Sequence, residues 1–161
     1  MRVDFGADIE VIATERWLDE TRGGRAFARG GVLAASVGNL GHHQIFNPAA
    51  SGVIALVRAV IASLGSADAI ILTTHNTALT TLVGAGTNLL FGGAAGACVY
   101  RTQNNAALLG TEITRVLLQA NLPINVALEW FGELGPAEGL VVATGNANIQ
   151  STAFFQWIEV V

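Results

Sequence analysis

The stretch INVALEWF, at positions 124–131, decides the fold because its large apolar residues occupy every second position. Ile, Val, Leu and Trp fall on one face of this stretch, and Asn, Ala and Glu fall on the other. A period of two is that of a β-strand, whereas a helix repeats every 3.6 residues. The run from Ile149 to Val160 predicts a second strand, in which Phe155 and Trp157 share one face.

Outward from these two runs, the chain from about Ala26 onward consists of short apolar segments separated by clusters of Gly, Asn, Pro and Ser. Turn-forming residues at such regular intervals are typical of a many-stranded antiparallel sandwich or barrel. The breaks leave room for eight to ten strands. The sequence therefore predicts an all-β fold.

Two segments conflict with this interpretation. Val53 to Leu64 (VIALVRAVIASL) spaces its apolar residues as one face of a helix does, with Ser51 as a possible cap. A strand that is covered on both faces also reads as a continuous apolar run. We predict a strand for this segment. Thr111 to Ala120 shows the same conflict, and its pattern leaves helix and strand both open.

Charge is distributed very unevenly along the chain. The first 29 positions hold 11 of the 20 charged residues, and the other 132 positions hold nine. That body is roughly 7% charged, against the 25–35% expected of the surface of a free-standing soluble domain. It must therefore cover itself with uncharged polar groups, bury surface against partners, or lie in a membrane.

Length and composition further limit the kind of protein that this chain can be. A chain of 161 residues suits one domain with a real core. Its net charge is −4 and all eight bases are Arg. A Lys-free acidic chain is poorly suited to neutralising a phosphate backbone, so we expect no nucleic-acid partner. The single Cys98 excludes an internal disulfide and is expected to be a small buried residue.

Membrane insertion and secretion are both disfavoured. The first ten residues lack the charged-then-apolar order of a secretory signal. Between Asp68 and Arg101 lie 32 uncharged residues, and Thr81 to Tyr100 is long enough to span a bilayer. This stretch is rich in Gly and also contains Thr and Asn, unlike a spanning helix. We expect no membrane partner.

Residues 1–29 are predicted to form an N-terminal arm, and residues 30–161 the sandwich domain. Asp8 or Thr14 would cap a short helix in the arm, and Gly23 and Gly24 would end it. Either this arm is a solvated helix or disordered leader, or it docks on a partner. An extended arm would also bridge neighbouring subunits.

No motif for catalysis or cofactor binding is present. The phosphate-loop Lys is missing, and the Gly-rich stretch after Val83 lacks the dinucleotide spacing. His42 and His43 are adjacent, so on a strand they face opposite ways, and one of them with His75 would supply at most two ligands to a metal. We expect these histidines at turns or interfaces. We predict no catalytic, cofactor-binding or metal-binding residues.

The sequence leaves two groups of polar residues, three Glu and a set of Thr and Asn, with more than one possible role. Glu129, Glu133 and Glu138 lie near one another, which permits a carboxylate pair for glycoside hydrolysis but more commonly marks solvated turns. Uncharged polar residues remain the most informative group. These are the Thr and Asn residues between 73 and 81, and the Asn residues at 104, 105, 121, 146 and 148, which we place at loop tips. They form turns or contact partners, and some of this surface is expected to pack in a symmetric oligomer.

Two quoted stretches carry a resemblance. HHQIFNPAASGVIALVRAVIAS (His42 to Ser63) has an F-N-P-A-x-S-G turn that enters a long strand. PAEGLVVATGNANIQSTAFFQWIEV (Pro136 to Val160) has a P-x-E-G-L turn and a closing strand that ends in F-x-W-x-E-V. In these features the chain resembles auxiliary β-sandwich proteins of tailed-bacteriophage particles, the capsid decoration and head-fibre type. The resemblance covers about 120 residues, from Gly24 onward.

This resemblance implies a jelly-roll-like antiparallel sandwich that forms a homotrimer and binds the major capsid protein on the virion exterior, after assembly in the host cytoplasm. It implies no enzymatic activity and no cofactor. In the arm, Trp17 would be an apolar anchor, and Arg16, Arg22 and Arg25 would pair with capsid acids. Alternatively, these four residues only keep the arm soluble.

Other functions remain open. The second hypothesis is a receptor- or glycan-binding module of a head or tail fibre, which would contact host surface polysaccharide. A small enzyme on the same sandwich, acting through Cys98, Glu129 or a histidine, is the third. A holin-like membrane protein is the fourth.

Overall fold

The computed structural model describes residues 17–127 and 132–161. They form two antiparallel β-sheets that pack face to face, so the predicted all-β sandwich is confirmed. The first sheet consists of β1 (Ala26–Leu33), β3 (Ile54–Leu64), β6 (Thr87–Asn88), β9 (Ile124–Ala127), β10 (Gly132–Leu134) and β12 (Ser151–Val160). The second sheet consists of β2 (Leu40–Asn47), β4 (Asp68–Thr74), β5 (Thr81–Ala85), β7 (Val99–Asn105), β8 (Thr111–Leu118) and β11 (Glu138–Thr144).

The strands pair in a nested order. In the first sheet the order is β10-β3-β12-β1-β6, with β9 also paired to β3, and in the second it is β5-β7-β2-β11-β4-β8. Thus β1 pairs with β12, β2 with β11, β3 with β10, and β4 with β8, all antiparallel. The chain is folded back on itself like one long hairpin whose successive pairs alternate between the sheets. β5 to β7 are an insertion between β4 and β8 that widens both sheets at one side.

The described residues contain twelve strands, so the expectation of eight to ten was too low. The difference comes from short strands such as β6, which has two residues, and β10, which has three. The strand predicted over 124–131 is described as β9 up to Ala127, and positions 128–131 lie outside the described residues. Strand β1 begins at Ala26, four residues before the boundary predicted at Gly30.

Both ambiguous segments are strands. β3 confirms the strand predicted for 53–64, and β8 resolves 111–120. Each contains a β-bulge. In β3, Val57 pairs with Trp157 and Ala59 with Gln156, which leaves Arg58 as the extra residue. A bulge lengthens one apolar step from two residues to three, and this is why the apolar spacing resembles that of a helix.

The core lies between the sheets and is built around aromatic side chains. Trp157 and Phe27 stack with ring centroids 6.1 Å apart, and Phe155 lies 6.0 Å from Tyr100 in a tilted arrangement. Gly86 passes so close to Trp157 that an added Cβ would lie 2.3 Å from the indole ring. Cys98 is fully buried here, as expected.

Within the described part of the arm, positions 17–22 form a short helix. Gly24 has a φ of 69°, and the Arg25 amide donates to the Glu20 carbonyl oxygen at 2.9 Å. This is a Schellman-type ending, and it confirms that Gly23 and Gly24 end the helix. The predicted caps Asp8 and Thr14 lie outside the described residues. Over positions 17–127 and 132–161 the structure contains no helix long and apolar enough to cross a membrane.

Candidate interaction surfaces

The arm residues singled out from the sequence make contacts within the chain. Trp17 stacks on Arg58 of β3, with the guanidinium carbon 4.2 Å from the ring centroid. Arg25 forms a salt bridge with Glu20. Arg22 is exposed, and Arg16 lies outside the described residues. The structure therefore places Trp17 on the sandwich, pairs Arg25 with the arm helix and leaves Arg22 facing solvent.

A buried polar network joins His43, Tyr100 and Ser151. The Tyr100 hydroxyl is 2.5 Å from His43 Nδ1, and the Ser151 hydroxyl is 2.9 Å from His43 Nε2. All three side chains are almost completely buried. Burial lowers the pKa of His43 to about 3, so the imidazole is neutral near pH 7. Ser, His and Tyr are residues of covalent catalysis, but here they bond across the two sheets and are closed to substrate.

His42 points to the opposite side of β2 from His43, as alternation requires. The Leu109 amide donates to His42 Nε2 at 3.3 Å, and its neighbour Gln44 bonds to the backbone of the 75–79 loop. Loops therefore cover this side of the second sheet. The expectation that His42 and His43 lie at turns or interfaces was wrong, because both are fully buried within a strand. Within the described ranges, no three His, Cys, Asp or Glu side chains cluster as a metal site.

Glu159 is a buried carboxylate that anchors a loop. It accepts hydrogen bonds from the backbone amides of Ala97 and Cys98 at 2.8 and 2.9 Å, and from the Trp157 indole at 3.0 Å. Burial, with the nearby carboxylate, raises the pKa of the Cys98 thiol. A protonated buried thiol is a poor nucleophile. Glu159 therefore holds the backbone of Ala97 and Cys98 against β12.

Several predicted turn residues do form turns. Asn121 and Asn148 have φ values of 60° and 63°, which Asn tolerates better than most residues. By contrast, Asn104 and Asn105 lie within β7 and not at a loop tip. Glu138 accepts a bond from the Gly135 amide at 2.7 Å in the turn before β11. Glu129 lies outside the described residues.

The outer face of the first sheet is uncharged over three rows of paired residues. These rows are Val32–Thr152–Ser63, Gly30–Phe154–Ile61 and Ala28–Gln156–Ala59. Val32 is 62% exposed and Ile61 is 36% exposed. In a strand with one face on the core and the other in water, apolar residues normally point to the core and polar residues point to the water. In the third row Ala28 and Ala59 are buried, so we name only the six residues of the first two rows the "open face", and this face is suited to contact with another protein surface.

A second exposed apolar feature is the "tip turn", Leu90 to Gly93. The Gly93 amide donates to the Leu90 carbonyl oxygen at 2.9 Å, and Gly92 has a φ of 81°. These values match a type II turn, in which the third residue requires positive φ. Phe91 occupies the second position and is fully exposed. Full burial of a Phe side chain is favourable by about 1.5–3 kcal/mol, so burial of Phe91 against a partner would stabilise the complex.

A third feature is the "edge groove", where β10 of the first sheet diverges from β4 and β8 of the second. Its volume is about 290 Å³. Apolar side chains form most of its lining, with Thr74 and Glu133 adding polar atoms. The apolar lining residues are Val57, Ile113, Leu134 and Leu140. A more polar depression of about 300 Å³ lies beside it, with Glu133, Glu138 and Asn76 in its lining.

Comparison with models of known protein families, with curated proteins and with solved structures finds no match to this chain. The open face, the tip turn and the edge groove were all missed at the level of sequence. For Phe91 a signal did exist, because an aromatic residue directly before Gly-Gly in an uncharged segment indicates a turn that exposes it.

Proposed function

We propose that this protein is a structural component of a tailed-bacteriophage particle that decorates and stabilises the capsid exterior, as a homotrimer. The open face is the observation that carries the proposal. An uncharged, partly apolar sheet face is costly to leave in water and suits close packing against other subunits. Its expected partner is the major capsid protein.

The nested strand order supports the same proposal. Pairing β1 with β12, β2 with β11, β3 with β10 and β4 with β8 is the order expected of a jelly roll, with β5 to β7 inserted. We infer that this sandwich is a jelly roll, a fold that occurs in viral capsid proteins. Fold alone does not give function, so this likeness adds to the surface argument and does not replace it.

The placement of reactive side chains also favours a structural role. His43, Ser151 and Cys98 are buried and bonded within the sandwich. What the described surface offers is exposed apolar side chains and few charges. A protein that binds only the assembled shell stabilises it by mass action, and such a role requires no chemistry.

The test is uptake by capsids. Purified protein is mixed with phage particles stripped of it, and co-sedimentation is measured for the wild type, for Val32→Glu, for Ile61→Glu and for the control Val37→Glu. Val37 is 85% exposed in the turn between β1 and β2 and is not part of the strands that form the open face. We expect stoichiometric uptake of wild type and control. For the open-face variants we expect roughly tenfold weaker binding, or about 1.4 kcal/mol.

Two results would contradict the proposal. Absence of wild-type uptake, combined with binding to host polysaccharide on a glycan array, would favour the receptor- or glycan-binding hypothesis. Equal uptake of all three variants would show that capsid binding, if present, does not use the open face.

A further inference from the structure

We infer that copies of this chain associate head to tail, with Phe91 of one copy seated in the edge groove of the next. The inference rests on the self-association in the proposed function and specifies the contact that would produce it. It starts from two complementary features of one chain: an exposed aromatic side chain on a rigid turn, and an apolar groove.

The tip turn holds Phe91 in a fixed position. Asn88 Nδ2 donates to the carbonyl oxygens of Gly24 and Ala94 at 2.8 and 3.0 Å, and Asn88 Oδ1 accepts from the Leu90 amide at 2.9 Å. One amide side chain thus fastens the turn at both ends and to the start of β1. A side chain presented on a pre-organised turn loses little conformational entropy on binding. Phe91 therefore has the properties of an interface anchor.

The edge groove fits a single side chain. Its volume of about 290 Å³ lies just below the roughly 300–1,000 Å³ of small-molecule pockets. Its apolar lining, from Val57, Leu134 and Leu140, suits an aromatic ring. Glu133 at the rim also favours such a ring, because the ring edge carries partial positive charge and a carboxylate is attracted to it. The segment from 69 to 100 around Phe91 has no formal charge, so no acid of the tip turn opposes Glu133.

The two features lie at opposite edges of the first sheet. The groove is beside β10 and the tip turn follows β6, at the two ends of the order β10-β3-β12-β1-β6. Four strand spacings of about 4.8 Å separate these edges by roughly 19 Å. The groove of one copy is therefore available to the Phe91 of another. A contact between two different patches is heterologous, and it closes into a ring when its rotation permits.

The test compares assembly states by sedimentation equilibrium over a wide range of protein concentration. Phe91→Asp removes the aromatic anchor. Ile113→Arg and Thr74→Arg each place a large charged side chain at the groove, at positions that are already exposed. The control Val37→Asp adds the same charge as Phe91→Asp at an unrelated exposed site. Circular dichroism verifies that each variant is folded. We expect wild type and control to form a closed oligomer and the others to be monomers.

Mixing identifies the type of contact. Phe91→Asp keeps an intact groove and Ile113→Arg keeps an intact Phe91, so an equimolar mixture is expected to form one-to-one heterodimers and nothing larger. If Phe91 instead packs against Phe91 of its neighbour, Ile113→Arg and Thr74→Arg will assemble like wild type, and the inference is overturned.

The remaining outcomes separate this inference from the proposed function. If the Phe91→Asp variant assembles like wild type, the head-to-tail contact is wrong while self-association stands. If the wild type is a monomer at every concentration, the contact and the trimer are both wrong. Capsid uptake, measured independently, then decides whether decoration itself survives.

Discussion

Single residues inside this sandwich have protonation behaviour that can be measured. His43 has a pKa of about 3 in the folded protein and an ordinary value of 6.5, because burial disfavours its charged form. Between these pH values the unfolded chain binds a proton that the folded chain does not. The resulting contribution to stability is complete above pH 6.5 and is lost as the pH falls towards 3.

We therefore predict that the free energy of unfolding decreases on acidification by up to about 1.4 kcal/mol per pH unit from this residue. Urea unfolding between pH 7 and pH 4 tests it, with His43→Gln as the comparison. The variant is expected to be less stable at pH 7, because its side chain does not reproduce both bonds of the imidazole, and to depend less steeply on pH. Parallel curves for the two proteins would show that His43 is not the group responsible.

The chemistry of imidazole explains why His42 and His43 were wrongly predicted to lie at turns or interfaces. Adjacent histidines in an unknown chain suggest a metal site, a turn or an interface, because imidazole is costly to bury without partners. Their actual partners are Tyr100 and Ser151 for His43, which lie 57 and 108 positions away. Local sequence carries no signal of such distant partners. Cys98, by contrast, needs none, and its burial followed from composition alone.

At the scale of elements, the close approach of Gly86 to Trp157 is the most sensitive contact. We predict that Gly86→Ala destabilises the protein by about 1–3 kcal/mol, as overpacking a close-packed core does. The matched control is Gly132→Ala, since an added Cβ at Gly132 meets no atom within 4 Å. Thermal unfolding of both variants measures the difference. A shift of similar size in each would mean that the indole moves aside without cost.

Bulges explain why the segments 53–64 and 111–120 could be interpreted as either helix or strand. Ile113 is the extra residue of the bulge in β8, as Arg58 is in β3, since Leu72 pairs with Thr114 and Thr73 with Glu112. A bulge adds a residue that no alternating pattern contains, so both segments mimicked helices. A strand that carries no extra residue in its apolar run, such as β12, alternates cleanly, and β12 was predicted directly. The surfaces proposed for partner contact depend on which strands pair, and pairing over more than 100 positions leaves no local trace.

At the scale of the whole molecule, β12 holds the first sheet together. It pairs with β1 on one side and β3 on the other, and it supplies Phe155 and Trp157 to the core. We predict that a chain ending at Gln150 does not fold, because two strands lose their partner and the core loses its largest side chains. Far-ultraviolet circular dichroism and proteolysis test this. Removal of Val161 alone, which is fully exposed, is the control and is expected to change nothing.

The long stretch of sequence between β12 and its partners β1 and β3 also determines when the open face can form during synthesis. That face is assembled from β1, β3 and β12, so it does not exist while the nascent chain is still on the ribosome before position 151. Translation adds roughly 5–20 residues per second, which leaves β1 and β3 without β12 for several seconds. Nascent chains that have not yet passed position 151 therefore lack a finished docking surface, however closely a polysome crowds them.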